Sequence, residues 1–320
     1  MVRQPGFQAS HPMQSISLLM DSIVDYAGLF PPAELPLHDV VSNYDRFRQG
    51  DHDWMLGRLV LPVKLLDQFE AEAEAMLQAG DGLVDAWVIS ALIGTAGTEQ
   101  CEADLERITR FNQEHSDPAK GAAIVDSIEL RLDDASVLEG LVENLDETIY
   151  PYLEVDTSRD CRGLIASMAD LDVAAKIRTG GIQASAHPSV EDVAVFLEAT
   201  HAAGVPFKAT AGLHHPLRHH APSVDTKQYG FINIFLSACM LFADKVDPDQ
   251  LRQLLAEESW ESLSVSEEAI GWNSLAVDLE DIIEARECYC HSFGCCSFDD
   301  PINDLTALNL LHEHDEETTT

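Results

Sequence analysis

A chain of 320 residues with 46% hydrophobic content has ample material for a core, which excludes a disordered protein and allows one large domain or two ordinary ones. Its 19 basic against 56 acidic residues give a formal net charge of −37. Such a surface repels nucleic acid and anionic membranes, which need lysine and arginine patches.

In chain order, residues 1–14 read as a flexible N-terminus without the basic charge, apolar run and cleavage site of a signal peptide. A first strand is expected at SIVDYAG (22–28), followed by GLFPPA (28–33), a proline turn that either shapes a pocket or simply reverses the chain. The helical pattern LHDVVSNYDRFRQG (37–50) precedes a strand at MLGRLVLPV (55–63), and LLDQFEAEAEAML (65–77) precedes one at VDAWVISAL (84–92). Further strands are expected at AAIVDSIELRL (122–132), TIYPYLEVD (148–156), VAAKIRTGG (173–181) and VPFKATAG (205–212).

The helix VEDVAVFLEATHAAG (190–204) starts cleanly, with Ser189 as N-cap and Glu191 and Asp192 complementing the helix dipole. Val190, Val193, Phe196 and Ala199 recur at helical spacing and give it a sheet-facing side. FINIFLSACMLF (231–242) is too short to cross a bilayer and reads as a buried helix, with a subunit interface as the lesser alternative. An eighth strand is expected near CYCHSFGCCSF (288–298), and 313–320 reads as a disordered acidic tail.

Strands separated by helices describe a parallel sheet of βα units, and seven or eight of them favour an α/β fold of the (β/α)8 TIM-barrel type over an open sheet. It would be a single domain over 15–312, with a long, largely helical insertion at about 223–287 before the last βα unit. No G-x-G-x-x-G follows the first strand and no Walker motif occurs, which argues against dinucleotide and P-loop chemistry. The acid, spread through segments such as FEAEAEAML and EESWESLSVSEE, fits a halophilic, salt-rich cytoplasm, with an acidic mesophilic protein as the plainer alternative. Four of the seven cysteines crowd into 288–296, which argues against a secreted disulfide framework and for a cytoplasmic location.

Only six lysines occur, and two fall in expected strands. If Val173, Ala175 and Ile177 face the outer helices, then Ala174, Lys176 and Arg178 face the barrel interior. By the same alternation Phe207 and Ala209 point outward, and Lys208 and Thr210 inward. Both lysines then stand near the C-terminal ends of adjacent strands, where barrel enzymes keep their active sites. Two ammonium groups close together in a partly dry site lower each other's pKa from the ordinary value of about 10.4, and a neutral amine is what Schiff-base chemistry needs. The plain structural alternative is that the lysines are salt-bridged or face solvent.

KIRTGG followed by PSVEDVAVFLEATHAAGVPFKATAGL resembles the deoxyribose-phosphate aldolase pattern, in which a K-T-S-T-G strand, a T-V-E-D-V-type helix and a V-K-A-S-G-G strand follow one another. VDYAGLFPPAELPLHDV (24–40) is similar to that family's D-H-T-x-L-x-P-x-A-T opening, and LEVD (153–156) to its fifth strand. FGCCSF (293–298) stands where the family has a phosphate loop. The best match covers 173–213, and Thr210-Ala211-Gly212 replaces the family's Ser-Gly-Gly.

The resemblance implies a class I aldolase-like lyase without a cofactor. Lys176 forms the Schiff base, Lys208 depresses its pKa, and Glu154 transfers protons, with Asp126 and Glu129 as other acid/base candidates. It also implies substrate or phosphate contacts from Arg178, Gly180, Gly181, Gly212, Gly294 and Ser297. The expected partner is a small carbonyl or sugar-phosphate substrate, with no nucleic acid or membrane, and self-association is left open.

Two clusters suggest other chemistry. GLHHPLRHHAP (212–222) carries His214, His215, His219 and His220, potential ligands of a metal-dependent hydrolase or isomerase, although no zinc signature is present. CYCHSFGCC has no standard zinc or iron–sulfur spacing; it could hold a metal or a reactive thiol, or bury Cys288 and Cys290 as apolar fillers. A non-catalytic barrel used as a binding module is the third alternative.

Overall fold

The computed structural model describes residues 12–79 and 86–311, so the expectations for 1–11 and 313–320 lie outside the described residues. A short helix, α1 (Gln14–Met20), begins at the end of the stretch expected to be flexible and buries Ile16, Leu19 and Met20.

Seven strands follow in order, each at an expected position: β1 (Val24–Tyr26), β2 (Leu56–Pro62), β3 (Trp87–Leu92), β4 (Ala123–Arg131), β5 (Tyr150–Glu154), β6 (Ala174–Arg178) and β7 (Phe207–Thr210). Beyond them lie the hairpin β8 (His219–Ala221) and β9 (Thr226–Gln228), then three antiparallel strands, β10 (Leu263–Val265), β11 (Ala269–Trp272) and β12 (Leu275–Asp278). The last strand, β13 (Cys290–Cys295), pairs with β7 on one side and β1 on the other, closing an eight-stranded parallel barrel. The fold is a (β/α)8 TIM barrel.

Helices α2 (Leu37–Arg48), α3 (Leu66–Ala79), α4 (Glu99–Glu114), α5 (Leu138–Glu143), α6 (Arg162–Ala166), α7 (Val190–Ala203) and α8 (Phe231–Phe242) follow the first seven barrel strands. Two more, α9 (Pro248–Leu255) and α10 (Leu279–Cys288), precede β13, and α11 (Asp299–Ala307) follows it. The amphipathic logic holds in α2, where Leu37, Val40, Val41, Tyr44 and Phe47 are buried at helical spacing. In α7, Ser189 and Asp192 form a reciprocal capping box, and Gly204 ends the helix at φ 63°.

The insertion is less helical than expected, because β10–β12 form a three-stranded antiparallel sheet within it. Every residue from Phe231 to Met240 of α8 is buried. This helix packs on the barrel side through Phe235, stacked on Phe207, and against α9 and α10 on its other faces, which explains an apolar run without amphipathic period. No described helix is long and apolar enough to cross a membrane.

Gly230 and Asn233 fasten the start of α8 to the histidine-rich loop. The Asn233 Oδ1 accepts the Arg218 N–H at 2.6 Å, and its Nδ2 donates to the carbonyls of Leu254 and Glu257. A Cβ on Gly230 would lie 2.1 Å from the Pro216 carbonyl oxygen. Gly230→Ala should therefore cost about 1–3 kcal/mol, as overpacking does. An unchanged urea midpoint would refute this packing account.

Candidate active site

The interior positions predicted for β6 and β7 are as expected. Phe207 packs outward against Phe196, Phe235 and Tyr289, while Lys176 and Lys208 stand side by side in the sheet register. Both lysines are buried, Lys208 completely.

Three carboxylates hold them. Lys208 Nζ donates to Asp25 Oδ2 at 2.6 Å and to Glu129 Oε1 at 2.5 Å. Lys176 Nζ donates to Glu129 Oε2 at 2.7 Å and to Glu154 Oε2 at 2.9 Å. Glu129 thus bridges the two ammonium groups, one oxygen to each. The remaining acceptor sites are also satisfied: Ser90 Oγ donates to Glu129 Oε1 at 2.8 Å, Ser292 Oγ to Asp25 Oδ2 at 2.7 Å, and the Arg58 N–H to Asp25 Oδ1 at 2.7 Å. A buried ionic network is tolerable only when every member is paired in this way.

Local backbone features set these side chains in place. A Cβ on Gly57 would lie 2.3 Å from Asp25 Oδ1, so glycine there makes room for the carboxylate. The pairing of β3 with β4 shifts by one residue at Asp126: Val125 pairs with Ile89, but Ser127 pairs with Ser90. The extra residue, Asp126, makes a bidentate pair with Arg58 at 2.7 and 2.8 Å. Asp126 is thereby committed to Arg58, and of the three acids considered for proton transfer only Glu129 and Glu154 touch Lys176.

For Lys208 the electrostatics run opposite to the expectation that each lysine lowers the other's pKa. Burial does oppose the charge on Lys208, but Asp25 and Glu129 outweigh it and raise its pKa. Burial likewise opposes the charge on Glu129, and Lys176 and Lys208 overcome it, holding that carboxyl well below the usual range. The acids between and beside the lysines replace repulsion with a shared proton-rich network.

Access differs between the two amines. Glu154, a partner of Lys176, lines a cavity of about 360 Å³ at the C-terminal mouth, together with Arg131, Ser158, Arg178, Ser185 and His187. Lys208 lies deeper, sealed by Asp25, Glu129 and the ring of Tyr152 at 5.1 Å. Arg131 is paired with Asp133, whereas Arg178, exposed at the mouth, has no carboxylate partner among the described residues. Asp156 and Asp192 line the same cavity beside Glu154, so Arg178 offers an anion a guanidinium that is free of a direct ion pair but set among acids.

No protein-family model matches the chain, and no curated protein matches it. The site therefore has to be read from its own geometry.

The expected phosphate seat is differently built. Gly180 and Gly212 are in backbone contact, and a Cβ on Gly180 would meet the Ala211 oxygen and the Gly212 Cα at 3.1 Å. Gly212 adopts φ 79° in the turn after β7, and a Cβ on Gly181 would lie 2.7 Å from that of Ala186. These glycines have a packing reason of their own. Gly294 lies within β13, paired with Asp25 and Thr210, rather than in a loop, and Ser297 Oγ accepts the Asp300 N–H at 3.1 Å.

The four histidines do not gather into one site, although the His215 and His219 rings lie edge to face at 4.5 Å. His214 pairs with Asp300, His215 with Asp304, His219 Nδ1 with the Leu217 carbonyl, and His220 with Asp225. Among the described residues no group of three or more histidine, cysteine or acidic side chains is placed to hold a metal ion. Of the two cysteines that alternation could have buried as apolar fillers, Cys288 ends α10 and is exposed, while Cys290 is buried with its sulfur 4.0 Å from that of Cys239.

Sequence reasoning missed Asp25, Arg58, Ser90 and Ser292. The signal for Asp25 was present, since it is a charged residue between Val24 and Tyr26 in an expected barrel strand.

Proposed function

We propose that the chain is a class I, lysine-dependent aldolase-like lyase in which Lys176 forms a Schiff base with a carbonyl substrate carrying an anionic group. One observation carries this reading: a buried lysine in the middle of a barrel strand contacts two glutamates, and one of them, Glu154, ends its own strand and lines a cavity. A strand-borne amine flanked by carboxylates has the parts that imine formation requires, a nucleophile and groups to carry protons.

In this reading Lys176 gives a proton to a flanking glutamate and its Nζ attacks the carbonyl carbon. The carbinolamine oxygen takes protons back and leaves as water, producing an iminium. Glu154, at the cavity, accepts the proton of the substrate's β-hydroxyl as the carbon–carbon bond breaks into the iminium. The resulting enamine is protonated and hydrolysed, returning the free amine. Lys208 stays protonated and anchors Glu129, and Arg178 holds the substrate's anion.

The test is reductive trapping. Sodium borohydride with a panel of aldehydes, ketones and phosphorylated sugars should add the mass of one reduced substrate to the intact protein, located on Lys176 and not on Lys208 by peptide mapping. Arg178→Gln should weaken trapping of anionic carbonyls while leaving neutral ones unaffected. An unmodified Lys176 with every carbonyl tried would dispose of the proposal.

A further inference from the structure

A second constellation of reactive side chains lies at the same end of the barrel, outside the lysine network. The turn after β7 carries His214, the end of β13 runs into Cys295 and Cys296, and the first turn of α11 carries Asp300. His214 Nδ1 lies 2.8 Å from Asp300 Oδ2. On the opposite side of the ring, Nε2 lies 3.6 Å from Cys296 Sγ. Cys295 Sγ is 3.7 Å from Nδ1, the nitrogen already committed to Asp300, so Cys296 is the thiol that faces a nitrogen without another partner.

The supports of this arrangement are fixed. The Asp300 N–H is bonded to Ser297 Oγ, and one turn along α11 Asp304 holds His215 Nδ1 at 2.6 Å, so two adjacent histidines are fastened to one helix. Burial opposes a charge on His214, but Asp300 and the two thiols more than compensate and push its pKa up to about 12. A nucleophile, a proton-carrying ring and a carboxylate that orients the ring form the arrangement that activates cysteine and serine nucleophiles.

We propose that Cys296 is a nucleophilic cysteine, with His214 as its proton carrier and Asp300 as the group that positions the ring, and that it adds reversibly to small aldehydes. The Sγ–carbon bond forms as the carbonyl π pair moves onto oxygen; the protonated His214 gives its Nε2 proton to that oxygen and receives the thiol proton in exchange. The product is a hemithioacetal; nothing is oxidised or reduced and no group leaves. An aldehyde is the electrophile that needs no more than these three side chains, whereas acyl transfer also requires a cradle for a tetrahedral oxyanion. The inference is independent of imine formation at Lys176.

Carbamidomethylation at neutral pH, followed by peptide mapping, tests it, with exposed Cys288 in the same molecule as the reference. Iodoacetamide should label Cys296 faster than Cys288 despite its burial. His214→Gln should slow that labelling by about 100-fold, the low end for loss of a general acid–base group, and Asp300→Asn, which keeps the side chain's size, should slow it less. Acetaldehyde should protect Cys296 reversibly, and equally in Lys176→Arg, which forms no stable imine. Labelling of Cys296 no faster than Cys288, or unchanged in both variants, would overturn the nucleophile. Absence of protection would overturn the aldehyde assignment.

Discussion

Lys208→Met is expected to lower the stability of the fold by about 3–5 kcal/mol, the range for removing one partner of a buried ion pair. Methionine fills similar space, so the loss isolates charge from packing. Both acids are almost completely buried: Asp25 would lose its ammonium at 2.6 Å and keep only hydroxyl and backbone donors, and Glu129 would lose one of its two ammonium partners, at 2.5 Å, and keep Lys176. A second substitution, Glu129→Gln, should cost much less in this background than in the wild type, because the two residues belong to one network. Urea denaturation of the single and double variants measures both quantities. A loss below about 1 kcal/mol for Lys208→Met would mean that the carboxylates relax to water, contrary to a sealed site. The same variant probes the chemistry: with Lys208 gone, both oxygens of Glu129 serve Lys176 alone, and borohydride trapping at Lys176 should need a higher pH than in the wild type.

Much of this barrel is legible in the chain, for identifiable reasons. Each barrel strand is a short β-branched or apolar run between helical patterns, and two-residue alternation alone places Lys176 and Lys208 inside and Phe207 outside. The Ser189 cap and the burial of α8 follow equally from local pattern. What alternation does not reveal is which interior groups meet across the barrel. Asp25, Glu129 and Lys208 come from β1, β4 and β7, and their convergence depends on closure and stagger. The one-residue shift at Asp126 also resets the inward set of β4, which no pattern in AAIVDSIELRL announces. The sheet β10–β12 escaped notice because its strands are three or four residues long in acid-rich sequence. The expected lowering of the Lys208 pKa misses for the same reason: alternation counts the cations and does not place Asp25 and Glu129 against that amine.

Glu129 should also set the acid limit of the network. Burial would raise its pKa, but Lys176 and Lys208 outweigh burial and depress it below the unfolded value of about 4.3. A depressed carboxyl contributes stability that is fully present above the unfolded pKa and is lost as pH falls through the folded one, with a slope of at most about 1.4 kcal/mol per pH unit for one proton. Lys208 behaves with the opposite sign: its raised pKa contributes stability that is complete below about 10.4 and disappears only as pH rises beyond it. The network therefore contributes a plateau between roughly pH 4.3 and 10.4 with an edge on each side. Glu129→Gln should lower the plateau by about 3–5 kcal/mol, since two ammonium groups then share only Asp25 and Glu154, and it should flatten the acid edge. Urea midpoints of wild type and Glu129→Gln, measured from neutral pH down to about pH 3, give the difference in slope and cancel the contribution of surface carboxylates common to both. Parallel acid slopes would show that Glu129 is not the proton acceptor on which the buried pair depends.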